Sequence, residues 1–103
     1  MTVKSQLNAC RDSLMAGMRS AARGAAPDEQ AGTVLRACLD LVEHTLARDP
    51  GTVTSADIGT TLAVLERASA EFQDDGATIH AVSTALQNAC KRLRLLITEL
   101  ERA

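Results

Sequence analysis

Three cysteines and two histidines are the side chains of this sequence best suited to metal binding or nucleophilic chemistry. Cys38 and His44 are six residues apart, and His80 and Cys90 are ten apart, whereas two ligands on one helix are usually three or four apart. With Cys10 the cysteines are odd in number, and they form no CxxC pair. We therefore predict no metal site and no cofactor. We expect reduced thiols that act as small apolar residues in the core of a cytoplasmic protein.

Basic residues form the second group with possible chemistry, and they are concentrated towards the two ends of the chain. Acidic residues outnumber basic ones in the middle, between residues 28 and 76, and the formal net charge of the chain is −2. This excess of basic residues near both ends predicts a basic surface formed by the first and last helices. The candidate members are Lys4, Arg11, Arg19, Arg23, Lys91, Arg92 and Arg94.

This charge distribution has two interpretations. In the first, which we favour, basic helices lie beside acidic ones, and the opposite charges fix which helices pair. In the second, the first and last helices share a face that meets an acidic partner, either a protein or a nucleic acid. Proteins that bind nucleic acids usually have basic patches and aromatic side chains on which bases stack. The acidic isoelectric point of about 5.6 and the absence of Trp and Tyr therefore argue against a nucleic acid as the partner.

Apolar residues recur three or four positions apart in four segments, and this spacing is typical of amphipathic helices. We predict helices over residues 3–23, 28–48, 55–73 and 77–101, separated by breaks rich in Gly, Pro and Asp. Helices of similar length with short connections favour antiparallel neighbours. The sequence therefore predicts an all-α, up-down-up-down four-helix bundle in a single domain, which dimerisation could complete.

The last segment carries the clearest helical pattern. Its apolar residues follow a heptad repeat. The members of this seam are Ile79, Val82, Leu86, Ala89, Leu93, Leu96 and Leu100. A second local signal is Thr54 followed three residues later by Asp57, which resembles a capping box at the start of the third helix. Since Phe72 is the one aromatic residue, the core must be aliphatic.

The first and last helices have apolar arcs wider than a single packing seam requires. For Met15 and Met18, core filling by a flexible side chain is the ordinary explanation, and the alternative is an exposed surface for a partner helix or a second copy of the chain. We predict a partner interface on these two helices. Its candidate residues are Leu14, Met15, Met18, Cys90, Leu93 and Ile97. The sequence thus favours a non-enzymatic protein–protein interaction module (an adaptor, chaperone or regulatory subunit) that forms a homo-oligomer, with a dimer favoured.

Two other functions stay open. One is a nucleic-acid-associated regulatory protein that uses the basic residues of the first and last helices. The other is a small helical enzyme, which would need polar groups that converge in a cleft; the sequence contains no motif that assigns a catalytic residue. We expect no membrane span, because no segment approaches about eighteen uninterrupted apolar residues.

Overall fold

The computed structural model describes residues 3–22, 29–71 and 77–102. Within these residues it contains four α-helices: α1 (Val3–Ala22), α2 (Glu29–Leu46), α3 (Ser55–Glu71) and α4 (Ala77–Arg102). They form an all-α four-helix bundle, which confirms the predicted fold class. The predictions for Arg23 and Phe72 concern residues outside the described part of the chain.

The core of the bundle is aliphatic, and all four helices contribute to it. Its largest fully buried side chains are leucines, with one isoleucine and two valines: Leu7, Leu14, Leu35, Ile58, Leu65, Leu86, Leu93, Leu96, Val42 and Val82. The α4 seam is buried from Val82 to Leu96, and Leu100 is half-buried at its end. Leucine and valine can fill such a core at high density without any polar group that needs a partner.

The helices do not pack equally with one another. α1 and α4 share the most extensive contact, α2 packs against α1, and α3 packs against α4. The contact between α2 and α3 is the smallest of these four. α1 and α4 are therefore the two central helices, and α2 and α3 flank them. The central helices are also the two basic ones, whereas the flanking helices are acidic.

Gly17 explains how closely α1 and α4 approach each other. A Cβ atom added to Gly17 would lie 2.8 Å from the Cβ atom of Ala85, which is closer than two such carbons pack. The same added atom would lie 3.5 Å from Leu35 on α2. Glycine is therefore required by packing at this position, although it lowers the intrinsic stability of a helix.

A short structured connection links α2 to α3. The α2 helix ends at Leu46, two residues before the predicted end, and a 3₁₀ turn, Pro50–Thr52, follows. The carboxylate of Asp49 accepts a hydrogen bond from the Gly51 backbone N–H at 3.0 Å, and Val53 is buried beside the core. Pro50 fits this turn because its ring fixes φ and no backbone N–H is lost from a helix interior.

The predicted capping box at the start of α3 is confirmed. The Thr54 backbone N–H donates to Asp57 Oδ2 at 3.0 Å, and the Asp57 backbone N–H donates to Thr54 Oγ1 at 3.2 Å. Asp57 also forms an ion pair with Arg48 at 3.1 Å, and Arg48 donates a hydrogen bond to the Thr52 carbonyl oxygen at 3.0 Å. Hydrogen bonds from Thr54 and the charge of Arg48 together lower the pKa of Asp57.

Candidate binding groove between α1 and α4

The predicted partner interface is divided between the core and the surface. Leu14, Cys90 and Leu93 lie inside the bundle, with exposed fractions of 0%, 2% and 0%, so their placement on a surface is wrong. They lie on the inner sides of α1 and α4, where the wide apolar arcs are covered by α2 and α3. Met15 is exposed, and Met18 is half-buried at the edge of the core.

Ile97, the remaining candidate, is separated from the two methionines. It is half-buried and lies seven residues after Cys90, a spacing that returns to almost the same side of a helix. Cys90 lines a cleft with Glu66 and Ser69 of α3, so this side of α4 faces α3. The methionines and Ile97 therefore do not form one continuous interface.

The basic candidates also separate into different environments. Arg94 faces α3 and forms an ion pair with Glu66 at 3.7 Å, which supports the interpretation that opposite charges help to pair the helices. Arg11 is partly buried, and its Nε atom lies 4.0 Å from Asp12. Lys4 and Arg19 are exposed on α1, while Arg23 lies outside the described residues.

Lys91 and Arg92 are placed differently, on the side of α4 that faces α1. Both are exposed, and neither forms an ion pair with a residue in the described ranges. They line a cleft of about 400 Å³ together with Ser13, Asn88 and Leu95. The cleft combines two cationic groups, a hydroxyl, an amide and one apolar side chain, and these groups suit an anionic ligand.

A second cleft continues the first along the same pair of helices. It has a volume of about 220 Å³ and shares Ser13 and Asn88 with the first cleft. Its other lining residues are small: Ala16, Gly17, Ser20, Ala81, Thr84 and Ala85. We call the two clefts together the α1–α4 groove, and we call their two halves the cationic end and the small-residue end.

The groove follows from the close approach of α1 and α4. Gly17 and Ala85 are buried where the two helices meet, and they line the small-residue end together with more exposed short side chains such as Ala16 and Thr84. The sequence predicted binding residues on α1 and α4, among them Lys91 and Arg92, but not the groove, because the groove depends on how the two helices pack. The repeated spacing of Ser13, Gly17 and Ser20 on one side of α1 was the available signal.

The described side chains that line the groove have no carboxylate, imidazole or thiol. The groove lining provides positive charge from Lys91 and Arg92 and hydrogen-bonding groups from Ser13 and Asn88.

The three cysteines form a separate buried group. All are free thiols in the core, and Cys10, Cys38 and Cys90 come from α1, α2 and α4. Burial is the main cause that raises the pKa of Cys10 to about 12, and the neighbouring thiols contribute less. Burial is also the main cause that raises the pKa of Cys38 to about 11. Within the described part of the chain no group of Cys, His, Asp or Glu side chains is arranged to hold a metal ion.

The described part of this chain is an all-helical bundle, with Lys91 and Arg92 in a cleft between α1 and α4. None of the helices in the described ranges is long and apolar enough to cross a membrane. Comparisons with protein-family models, curated proteins and solved structures find no match.

Proposed function

We propose that the chain is a non-enzymatic protein-binding module that uses the outer face of the α1–α4 pair. The observation that carries this proposal is the α1–α4 groove, in which Lys91 and Arg92 stand beside small side chains over several helical turns. The groove replaces the large apolar patch expected from the sequence as the supporting feature. An adaptor, chaperone or regulatory subunit would each need such a surface.

Site-specific photo-cross-linking in the native host tests the proposal. The photoreactive residue benzoylphenylalanine replaces Thr84, which lines the groove. In the control, it replaces Ala37, which is exposed on α2. We expect Thr84 to cross-link one defined protein that Ala37 does not. Equal cross-linking from both positions, or none from Thr84, would contradict the proposed surface.

We further propose a homodimer, formed on the opposite side of the molecule from the groove. The exposed large apolar residues of α2 and α3 are Leu41 and Val64, with exposed fractions of 39% and 40%. Leu41 lies on α2 and Val64 on α3, and neither helix contributes a described lining residue to the α1–α4 groove.

The cytoplasm stays the expected compartment in this proposal. Three free, buried thiols support it, since small proteins of oxidising compartments usually join their cysteines in disulfides.

A further inference from the structure

The α1–α4 groove has the length and width of a helix-binding site. Its lining residues on α4 extend from Ala81 to Leu95, which corresponds to about 21 Å at 1.5 Å per residue. At the small-residue end, Ala16 and Thr84 are exposed, and neither extends far from its backbone. Short side chains allow a third helix to approach two helices closely, as they do where helices pack at small residues.

The charge of the groove is asymmetric along this length. Lys91 and Arg92 lie at one end with Ser13 and Asn88, and the small-residue end carries no charged side chain among its described lining residues. By contrast, Arg36, Arg48, Arg94 and Arg102 each form an ion pair with an acidic residue of this chain. The cationic end therefore has positive charge available for a partner.

We infer that the groove binds an amphipathic helix of another protein, with acidic residues at the cationic end and small or apolar residues at the small-residue end. This inference depends on the proposed function and specifies its partner. Carboxylates match Lys91 and Arg92 in charge, and Arg92 can hold a carboxylate through two parallel hydrogen bonds. A nucleic acid carries phosphates along its whole length and would gain charge contacts at one end only.

Fluorescence anisotropy with labelled helical peptides tests the inference directly. The probes are 18-residue alanine-based peptides with leucines on one face and four glutamates confined to one half. One version carries the glutamates in the first half and another in the second half, to match both directions of a bound helix. We expect one version to bind the unmodified protein, with affinity at least tenfold higher in 50 mM than in 500 mM salt.

Two pairs of protein variants distinguish the contribution of the groove's charge to peptide binding from the contribution of its shape. The double substitution Lys91→Glu and Arg92→Glu should weaken binding at least tenfold, whereas Arg19→Glu, on an exposed position of α1 outside the groove lining, should change it less than twofold. Ala16→Leu should fill the small-residue end and weaken binding at least fivefold. Its matched control, Ala37→Leu on α2, should leave affinity unchanged.

Several results would overturn the inference. Equal binding of peptides in which lysine replaces glutamate would remove the role of charge, and no binding of either glutamate version would remove the helix as ligand. Tighter binding of a 20-nucleotide single strand, lost on reversing Lys91 and Arg92, would identify a nucleic-acid site. A dimer in light scattering that dissociates in the same double variant would identify a second copy as occupant.

Failure of the inference can be distinguished from failure of the proposed function. If the peptides do not bind but Thr84 still cross-links a defined protein in the host, the groove is a protein-binding surface with a different ligand. If Thr84 cross-links nothing, the proposed function itself fails. Circular dichroism of each variant verifies its folding, and the exchange of glutamate for lysine in the peptides tests charge without any change to the protein.

Discussion

At the scale of single residues, Gly17 has the most consequence for the shape of the molecule. In most helix interiors, replacing Gly by Ala stabilises the helix by about 1 kcal/mol. At Gly17 the new Cβ atom would stand 2.8 Å from Ala85 Cβ and would force α1 and α4 apart. Because overpacking of a core costs about 1–3 kcal/mol, we expect Gly17→Ala to lower the free energy of unfolding in urea denaturation.

Matched glycines provide the control for this prediction. A Cβ atom added at Gly32 or Gly59 meets nothing within 4 Å, so alanine at either position should stabilise the protein by about 0.5–1 kcal/mol. Adding Ala85→Gly to Gly17→Ala removes the clashing carbon and should recover part of the loss. Equal effects of alanine at positions 17 and 32 would contradict the close approach described for α1 and α4.

The buried thiols make stability depend on alkaline pH. Below about pH 9 the thiol of Cys10 is protonated in both the folded and the unfolded chain, so it contributes no pH dependence there. Between pH 9 and about 12 the unfolded chain releases this proton while the folded chain retains it. The free energy of unfolding should therefore fall as pH rises, by up to about 1.4 kcal/mol per pH unit for this thiol.

Urea denaturation of the reduced protein at several pH values from 8 to 10.5 measures this slope. The variant Cys10→Ala should have a smaller slope than the unmodified chain, because it lacks this buried thiol. An unchanged slope would show that Cys10 does not remain a neutral, buried thiol.

At the scale of the elements, the start of α3 depends on the reciprocal hydrogen bonds between Thr54 and Asp57. Replacing Thr54 by Ala removes an N-cap acceptor, and such losses cost about 0.5–2 kcal/mol. We expect Thr54→Ala to lower the melting temperature and Thr54→Ser to restore it. A substitution at Thr60, which is exposed later in α3, is the control and should have little effect.

The same element gives a prediction at acidic pH. Since the pKa of Asp57 is lowered in the folded protein, its ionised form contributes stability above the ordinary pKa of 3.8, and this contribution is lost as pH falls below that value. The unmodified chain should therefore lose more stability between pH 5 and pH 2 than Asp57→Asn does. Thermal melts at fixed ionic strength measure the difference, and parallel pH profiles would contradict it.

Much of the element scale could be predicted from the sequence, and the reasons are local. The heptad spacing from Val82 to Leu96 and the pair of Thr54 with Asp57 depend on neighbours within a few residues. The helix ends were less accurate, because α2 stops at Leu46 where the connection to Pro50 begins. Ending a helix depends on how the next turn packs, and this information is not local.

The candidate site was harder to predict, for a physical reason. Sequence periodicity shows which side of a helix is apolar, but it does not show how much of that side the neighbouring helices cover. Leu14 and Leu93 were therefore assigned to an interface although they are fully buried. The α1–α4 groove depends on the pairing of two helices distant in sequence, and this pairing places Lys91 and Arg92 beside Ser13.

At the scale of the whole molecule, the exposed pair Leu41 and Val64 makes the proposed dimer testable. Burying two such side chains and their symmetry mates would remove apolar surface from water, which favours association at roughly 25 cal/mol per Å². We expect the double substitution Leu41→Lys and Val64→Lys to convert a dimer into a monomer in size-exclusion chromatography with light scattering. Leu95→Lys, an equally exposed position on α4, is the matched control and should leave the dimer intact.

The unequal contacts among the helices also determine where the bundle should open transiently. Since α2 and α3 meet over the smallest contact, transient opening should begin there, and the walls of the groove should be the last part to loosen. Amide protons of α1 and α4 would then exchange with solvent most slowly. A ligand that binds in the groove would therefore contact a rigid surface. Little conformational entropy of the protein would be lost on binding, which favours rapid docking without rearrangement.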